Sequence, residues 1–396
     1  MRERQTHYRT LSMIYLDNSA TTPLAPEVRE AMEPWLDNEF GNASSIHSIG
    51  RSAKVALEAA REIIANAIGA RPSEIVFTSS GTEANNAAIV GSVMHEKLKG
   101  TGFSSQSIIT SAAEHHAVLE PAQFLAKLGA RSLVLPVDSE GRSFPEAVAG
   151  SLDDSTTIVS MMLVNNEVGS INPIAEISEV VHTNSGALMH TDAIQALGKM
   201  PLNVGELGVD LASFSAHKIH GPKGIGALFV KSGTELEPLV HGGAQERNRR
   251  GGTEPVALAV GFAQAVRLAE KRLAAQHSEL EALGHWLRSE LLVIPGVTIN
   301  SPQEHWLPSI INFSFAPELL DTIDGETLIM RFDLEGIAVS NGAACTSGTV
   351  QPSHVLLAMG KGDKVAGASV RISLSHETTK TDLDQFLQVL RRMIKQ

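Results

Sequence analysis

From Ile75 to Val230 the chain alternates short apolar runs with stretches of helical periodicity. The apolar runs are Ile75-Val76-Phe77-Thr78, Ile108-Ile109-Thr110, Leu133-Val134-Leu135, Ile158 to Val164, Ala187 to His190, Val209 to Phe214 and Ile225 to Val230. Runs this short, bounded by turn residues, read as buried strands. Helical patterns at Glu83 to Leu98, Val118 to Leu128 and Ile174 to His182 fill most of the gaps. Strands alternating with helices imply βαβ units, and so an α/β fold with a mainly parallel sheet covered on both faces. Ligands of such sheets bind beyond the carboxyl ends of the strands. That rule puts Ser79 to Thr82, Glu114-His115, Asn165-Asn166, Asp192 and Ser215 to Lys218 on one rim.

The flanks read differently. Tyr15 to Pro23 is a short strand entering a polar turn, followed by helical patterns at Pro26 to Trp35 and Ala53 to Ile68, with a polar loop Gly41 to His47 between them. Residues 256–294 read as one long helix striped by Leu273, Leu280, Leu283, Leu287 and Leu291. Beyond it come a strand at Ile310 to Phe315, a helix near Thr327 to Leu334, a strand at Val370 to Leu374 and a last helix at Asp382 to Ile394. We expect a large domain over residues 20–265 and a smaller α+β domain made of residues 1–19 and 266–396.

Several rim motifs have the right groups for chemistry. Lys218 follows a buried strand, where lost solvation makes a lysine amine nucleophilic. Ser79-Ser80-Gly81-Thr82-Glu83 opens a helix, and free N–H groups at a helix start favour a phosphate, although Thr82 is equally placed for a plain N-cap. Asp192 and Gln195 lie one helical turn apart past a strand, so both can face one ligand. An ionised Asp there suits a protonated ring nitrogen, with a capping Asp as the plainer alternative. His115 follows a strand and can stack on a ring or relay a proton. His217 and His220 are three apart with no third ligand in view, so no metal is expected. The one cysteine, Cys345, sits among small residues in Asn341 to Gly348 and excludes an internal disulfide. With an ordinary thiol pKa of about 8.5, it needs a nearby positive group to react at neutral pH.

Composition narrows the field. A net charge of −12 gives nucleic-acid binding no electrostatic support. The longest unbroken apolar stretch, Val256 to Phe262, falls far short of the roughly 20 residues of a membrane span. The first residues, Met1-Arg2-Glu3-Arg4-Gln5, carry mixed charge and no apolar signal region, so a cytoplasmic location is expected. Met13 offers an alternative start just before the first strand.

Taken together, these motifs resemble the cysteine desulfurases of the NifS/IscS type, within the fold-type I pyridoxal-phosphate enzymes. The likeness runs from Ile14 to the C-terminal helix. It is carried by Tyr15-Leu16-Asp17-Asn18, Gly41-Asn42 with Ser44-Ser45, Glu74 to Ser79, Asn165-Asn166-Glu167 and Asp192 to Gln195. It continues in His217-Lys218 with Gly221-Pro222-Lys223-Gly224, Arg249 to Thr253, and Ala344-Cys345-Thr346-Ser347-Gly348. Mild departures are Pro255, Val168 and Ala216, none of which removes a chemical group.

The resemblance implies a homodimer with pyridoxal 5′-phosphate, in which Lys218 forms the Schiff-base link, His115 stacks on the ring, Asp192 pairs with its nitrogen and Gln195 bonds its phenolic oxygen. Gly81, Thr82, Ser215 and His217 would hold the phosphate, with Thr253 arriving from the second subunit. Asn42, Asn166 and Arg371 would bind the substrate, L-cysteine. Lys218 and His115 would move protons, and Cys345 would receive sulfur and pass it to acceptor proteins such as an iron–sulfur scaffold. A class V aminotransferase, a selenocysteine lyase and a partner-binding scaffold without catalysis are the alternatives. Cys345 speaks against the first two, and the intact Lys218, Asp192 and Cys345 against the third.

Overall fold

The computed structural model describes residues 13–316, 318–320, 325–342 and 351–394, apart from the side chains of residues 276, 277 and 326. Its strands are β1 (Ile14–Tyr15), β2 (Ile75–Thr78), β3 (Ser107–Ser111), β4 (Arg131–Leu135), β5 (Thr156–Ser160), β6 (Leu188–Asp192), β7 (Leu211–Ser215), β8 (Gly226–Val230), β9 (Val297–Ile299), β10 (Ile310–Phe315), β11 (Ile337–Ala338) and β12 (Val370–Ser373).

Seven of them form the central sheet in the order β2-β8-β7-β6-β5-β3-β4. The pairs from β7 to β4 are parallel, whereas β8 runs antiparallel to both β7 and β2. Because β8 is the one reversed strand, β2 keeps the direction of the others. The carboxyl ends of β2, β3, β5, β6 and β7 therefore share one rim, as the βαβ reading requires.

β2, β7 and β8 are buried at every position, consistent with strands covered on both faces. Gly226 opens β8 because a Cβ there would lie 2.6 Å from the Ser80 carbonyl carbon and 2.7 Å from Phe214 O. A glycine is needed for β8 to pass beneath the turn that starts the next helix.

One expectation is corrected here. The strand β5 ends at Ser160, short of the end of the run Ile158 to Val164. Met162 N donates to the buried Glu114 carboxyl at 2.8 Å, which occupies one side of the segment. On the other side Met161 N on His190 O at 3.1 Å and Leu163 N on Asp192 O at 3.0 Å still follow β6.

Two hydrophobic cores sit at opposite ends of the helix Val256–Leu292. Its first turns, including Ala259, Phe262 and Val266, pack into the core beneath the central sheet. Leu287 and Leu291 enter a second core with Phe313, Phe332 and Phe386, built on the antiparallel sheet β12-β10-β9. Burying each such side chain stabilises the fold by about 1.5–3 kcal/mol, so the leucine stripe gives the helix a firm seat at its far end. β1 pairs with β11 beside this second core, which returns the start of the chain to its end.

Candidate active site

Each side chain on the rim is placed by the strand before it. Lys218 ends one turn of 3₁₀ helix, Ala216–Lys218, directly after β7. Its Nζ donates to Ser19 O at 2.6 Å and Ala20 O at 2.7 Å. Burial lowers its pKa to about 8, helped by the Arg371 charge and opposed by Asp17 and Asp192. A lysine held there has a far more available amine than a solvated one.

Asp192 ends β6 and is buried, with Oδ2 accepting from Asn85 Nδ2 at 2.7 Å and Oδ1 from Ile194 N at 3.0 Å. One turn on, Gln195 donates from Nε2 to Ser19 O at 3.0 Å. Its Oε1 accepts from Lys199 Nζ at 2.5 Å, a contact no motif announced.

His115 caps the helix His116–Lys127, its Nδ1 accepting from Ala117 N at 3.0 Å. In the neutral ring the proton then belongs on Nε2. Burial lowers the His115 pKa; Asp192 opposes that, and Lys218 and the neighbouring His116 and His354 reinforce it. Behind it, Glu114 is fully buried, and desolvation pushes its carboxyl up to about 8.

The helix Gly81–Leu98 begins on the same rim. Its N-cap is Ser80, whose hydroxyl accepts from Glu83 N at 3.1 Å. Thr82 is thus exposed and free of the capping duty that competed with a ligand role. A Cβ on Gly81 would run into Ile194 Cδ1, so this helix start packs closely on the Asp192 turn. Ser215 Oγ and Ser19 Oγ are buried there with no hydrogen-bond partner among the described residues. His217 sends Nδ1 to Thr21 Oγ1 at 3.1 Å, and burial with nearby lysines lowers its pKa to about 4.

Arg371 reaches the rim from β12, the one buried guanidinium supplied by the smaller sheet. Its Nη2 bonds Asp17 Oδ1 at 2.7 Å and its Nη1 bonds Asn166 O at 3.1 Å, leaving Nε without a partner among the described residues.

The structure brings Gly81, Thr82, His115, Asn166, Asp192, Gln195, Ser215, His217, Lys218 and Arg371 around one cavity of about 510 Å³. Ser340 and Gly342 also line it. Asn42 and Thr253 do not; both are exposed on the single chain. Cys345 lies outside the described residues. His217 and His220 bond Thr21 and Pro23 O respectively and serve different surroundings.

Chemically, the site offers a nucleophilic amine, a buried carboxylate, an imidazole, a free guanidinium edge and a helix start with an unpartnered hydroxyl. The last two elements are anion sites lining one cavity.

Residues 14–386 match the model of the aminotransferase class-V family. The chain belongs to the class V aminotransferase family. Among its relatives in the family, it is 47% identical to a cysteine desulfurase IscS of Dictyoglomus turgidum, over 96% of this chain and 94% of the relative. The solved structure of a NifS-like protein superposes with a TM-score of 0.88 at 37% identity, covering 97% of this chain and 99% of the other. A structure of SspA in complex with cysteine gives a TM-score of 0.79 at 35% identity, covering 91% and 98%. The family's cofactor is pyridoxal 5′-phosphate. The residues present suit it: the unpartnered Ser215 hydroxyl and the close-packed Gly81 at the helix start fit a phosphate, and the buried Asp192 fits a cationic ring nitrogen.

Proposed function

We propose that the chain is a pyridoxal-phosphate-dependent cysteine desulfurase. It converts L-cysteine to L-alanine, captures the sulfur as a persulfide on Cys345, and hands it to acceptor proteins for iron–sulfur cluster assembly or thiolation. The observation that supports this most is the covalent reach between cavity and thiol. Gly342 lines the cavity, and Cys345 follows three residues later, within about 10 Å of chain.

Bound pyridoxal phosphate supplies an electron sink for charge developing on the substrate. Lys218 carries the cofactor, Asp192 keeps its ring nitrogen protonated, and Gln195 donates to its phenolic oxygen. Gly81, Thr82, Ser215 and His217 hold the phosphate, with Thr253 contributed by the second subunit of a homodimer. The exposure of Thr253 on the single chain suits that role. Arg371, Asn166 and Asn42 orient the substrate, Arg371 through its carboxylate.

The Lys218 amine, brought down to about 8, can take a proton from the substrate near neutral pH. His115 presents Nε2–H to the cavity and returns a proton. The Cys345 thiolate attacks the substrate sulfur, so that the S–S bond forms as the C–S bond breaks. The carbon keeps the electron pair and takes the proton, and cysteine plus thiol gives alanine plus persulfide.

Two cores joined by one helix support a division into two domains, with Val266 and Ala269 still packed into the first core. No helix among the described residues is long and apolar enough to cross a membrane.

Cys345→Ser tests the reading. Alanine and sulfide production should cease while the cofactor's absorption band remains. Undiminished alanine formation by that variant would overturn it.

A further inference from the structure

Behind Lys218 lies a second cavity, of about 290 Å³, between the two cores. Lys218 lines both cavities, and the strip before it alternates between them. Ser19 and Ala20 face the first, whereas Asn18 and Thr22 face the second.

The lining mixes two kinds of side chain. Lys199, Arg272 and the imidazoles of His220 and His376, whose rings meet edge-on at 4.5 Å, make its polar part. Leu273, Leu280 and Leu283, from the same long helix as Arg272, make its apolar part. Arg272 has no hydrogen bond or ion pair among the described residues. The acid among the lining residues is the exposed Glu279, and Glu27 acts on His376 from outside the lining.

Two lining residues, Asn18 and Ser309, are 3% and 5% exposed, and Asn18 Oδ1 and Ser309 Oγ have no hydrogen-bond partner among the described residues. Leucines set beside the Arg272 and Lys199 side chains suit a molecule with an acid head and a hydrocarbon body. The planar fork of an arginine matches a carboxylate, and the volume falls at the small end of ligand pockets, roughly 300 Å³.

We infer that this cavity binds a small amphipathic carboxylate, its acid on Arg272 and Lys199 and its apolar body against Leu273, Leu280 and Leu283. The site is separate from the one that holds cofactor and substrate, although Lys199 also bonds Gln195 of the first cavity.

Ligand-observed NMR titration of the holoenzyme with isovalerate tests this. One site per chain is expected. Arg272→Gln and Leu280→Asp should each weaken binding at least tenfold, and neutral isovaleramide should bind at least tenfold more weakly to the parent protein. Arg371→Gln should leave isovalerate binding unchanged, because Arg371 lines only the first cavity. Full affinity in both Arg272→Gln and Leu280→Asp, or loss in Arg371→Gln, would overturn the assignment. Inorganic phosphate binding more tightly than isovalerate would overturn the amphipathic class. The readout is binding, so it stands or falls apart from desulfurase turnover.

Discussion

Lys199 Nζ donates to Gln195 Oε1 at 2.5 Å, and that contact decides which way the Gln195 amide points. With Oε1 held by the ammonium, Nε2 is turned to Ser19 O at 3.0 Å and to the cavity. The site therefore gains a fixed donor where a free amide would present either end.

Lys199→Met should loosen this arrangement without removing any group proposed to touch the cofactor. Burial lowers the Lys199 pKa to about 7, so the donor is charged below that pH, where such a bond contributes about 1.5–3 kcal/mol. Part of that should appear as weaker cofactor retention, on the order of tenfold, since 1.4 kcal/mol is one decade. Cofactor dissociation followed by absorbance checks it, and unchanged retention would mean that Gln195 is oriented by Ser19 alone.

Glu114 gives a pH prediction with a definite sign. Burial raises its folded pKa to about 8 from an ordinary value of 4.5, so the folded state holds a proton that the unfolded state releases. Its contribution to stability is complete below about pH 4.5 and is lost as pH rises through 8. Lys218, lowered to about 8, and Lys199, lowered to about 7, act in the opposite direction over part of this range. Comparison with Glu114→Gln isolates the carboxyl. The variant should lose less stability than the parent between pH 7 and 9 in urea unfolding. Parallel losses would show that Glu114 titrates normally.

Much of the site was legible because a strand end is a local signal. Lys218, Asp192, His115 and the Ser80-Gly81-Thr82 turn each follow an apolar run, and the parallel sheet gathers such ends. Contacts made by backbone atoms or across long separations left no such mark. Ser19 O receives both Lys218 and Gln195 through a carbonyl that any residue would supply. Asp17 meets Arg371 from 354 residues away. Lys199 belongs to no motif, and its partner becomes evident only once the turn after Gln195 has a shape. The apolar run from Ile158 failed as a strand beyond Ser160 because periodicity does not reveal a buried carboxylate waiting for Met162 N.

The Gln245–Asn248 turn leads to the Arg249 to Thr253 motif and is held by a buried ion pair. Arg61 Nη1 and Nη2 bond Glu246 Oε2 and Oε1 at 2.6 and 2.9 Å, and Phe77 N also donates to Glu246 at 3.0 Å. The turn needs holding, because Glu246, Arg247 and Asn248 have φ of 45, 57 and 64°, in the left-handed region that disfavours side chains. Glu246→Gln leaves the buried Arg61 charge with Glu58 at 3.3 Å as its remaining counter-ion, so the loss falls below the roughly 3–5 kcal/mol of a fully unpaired buried charge. Urea unfolding should show it. If Thr253 completes the partner's site, cofactor binding should weaken as well, whereas an unaltered unfolding midpoint would refute the role given to the pair.

Glu167 links both flanks of the segment that carries Cys345. Ser353 Oγ donates to Glu167 Oε2 at 2.5 Å on one side. On the other, Gly342 has φ of +86°, and a Cβ there would lie 2.7 Å from the same oxygen. Gly342→Ala would thus be strained twice, by its backbone angle and by the carboxylate. Ser353→Ala would leave Glu167 Oε2 without its donor, at a cost of about 1–3 kcal/mol. Neither change touches the groups proposed to hold the cofactor. Both should therefore slow persulfide formation on Cys345 by about tenfold or more, as expected when a reacting group is displaced, while the cofactor band keeps its position and intensity. Single-turnover trapping of the persulfide measures this directly, and parent-like rates in both variants would show that the Glu167 contacts do not govern the thiol's approach.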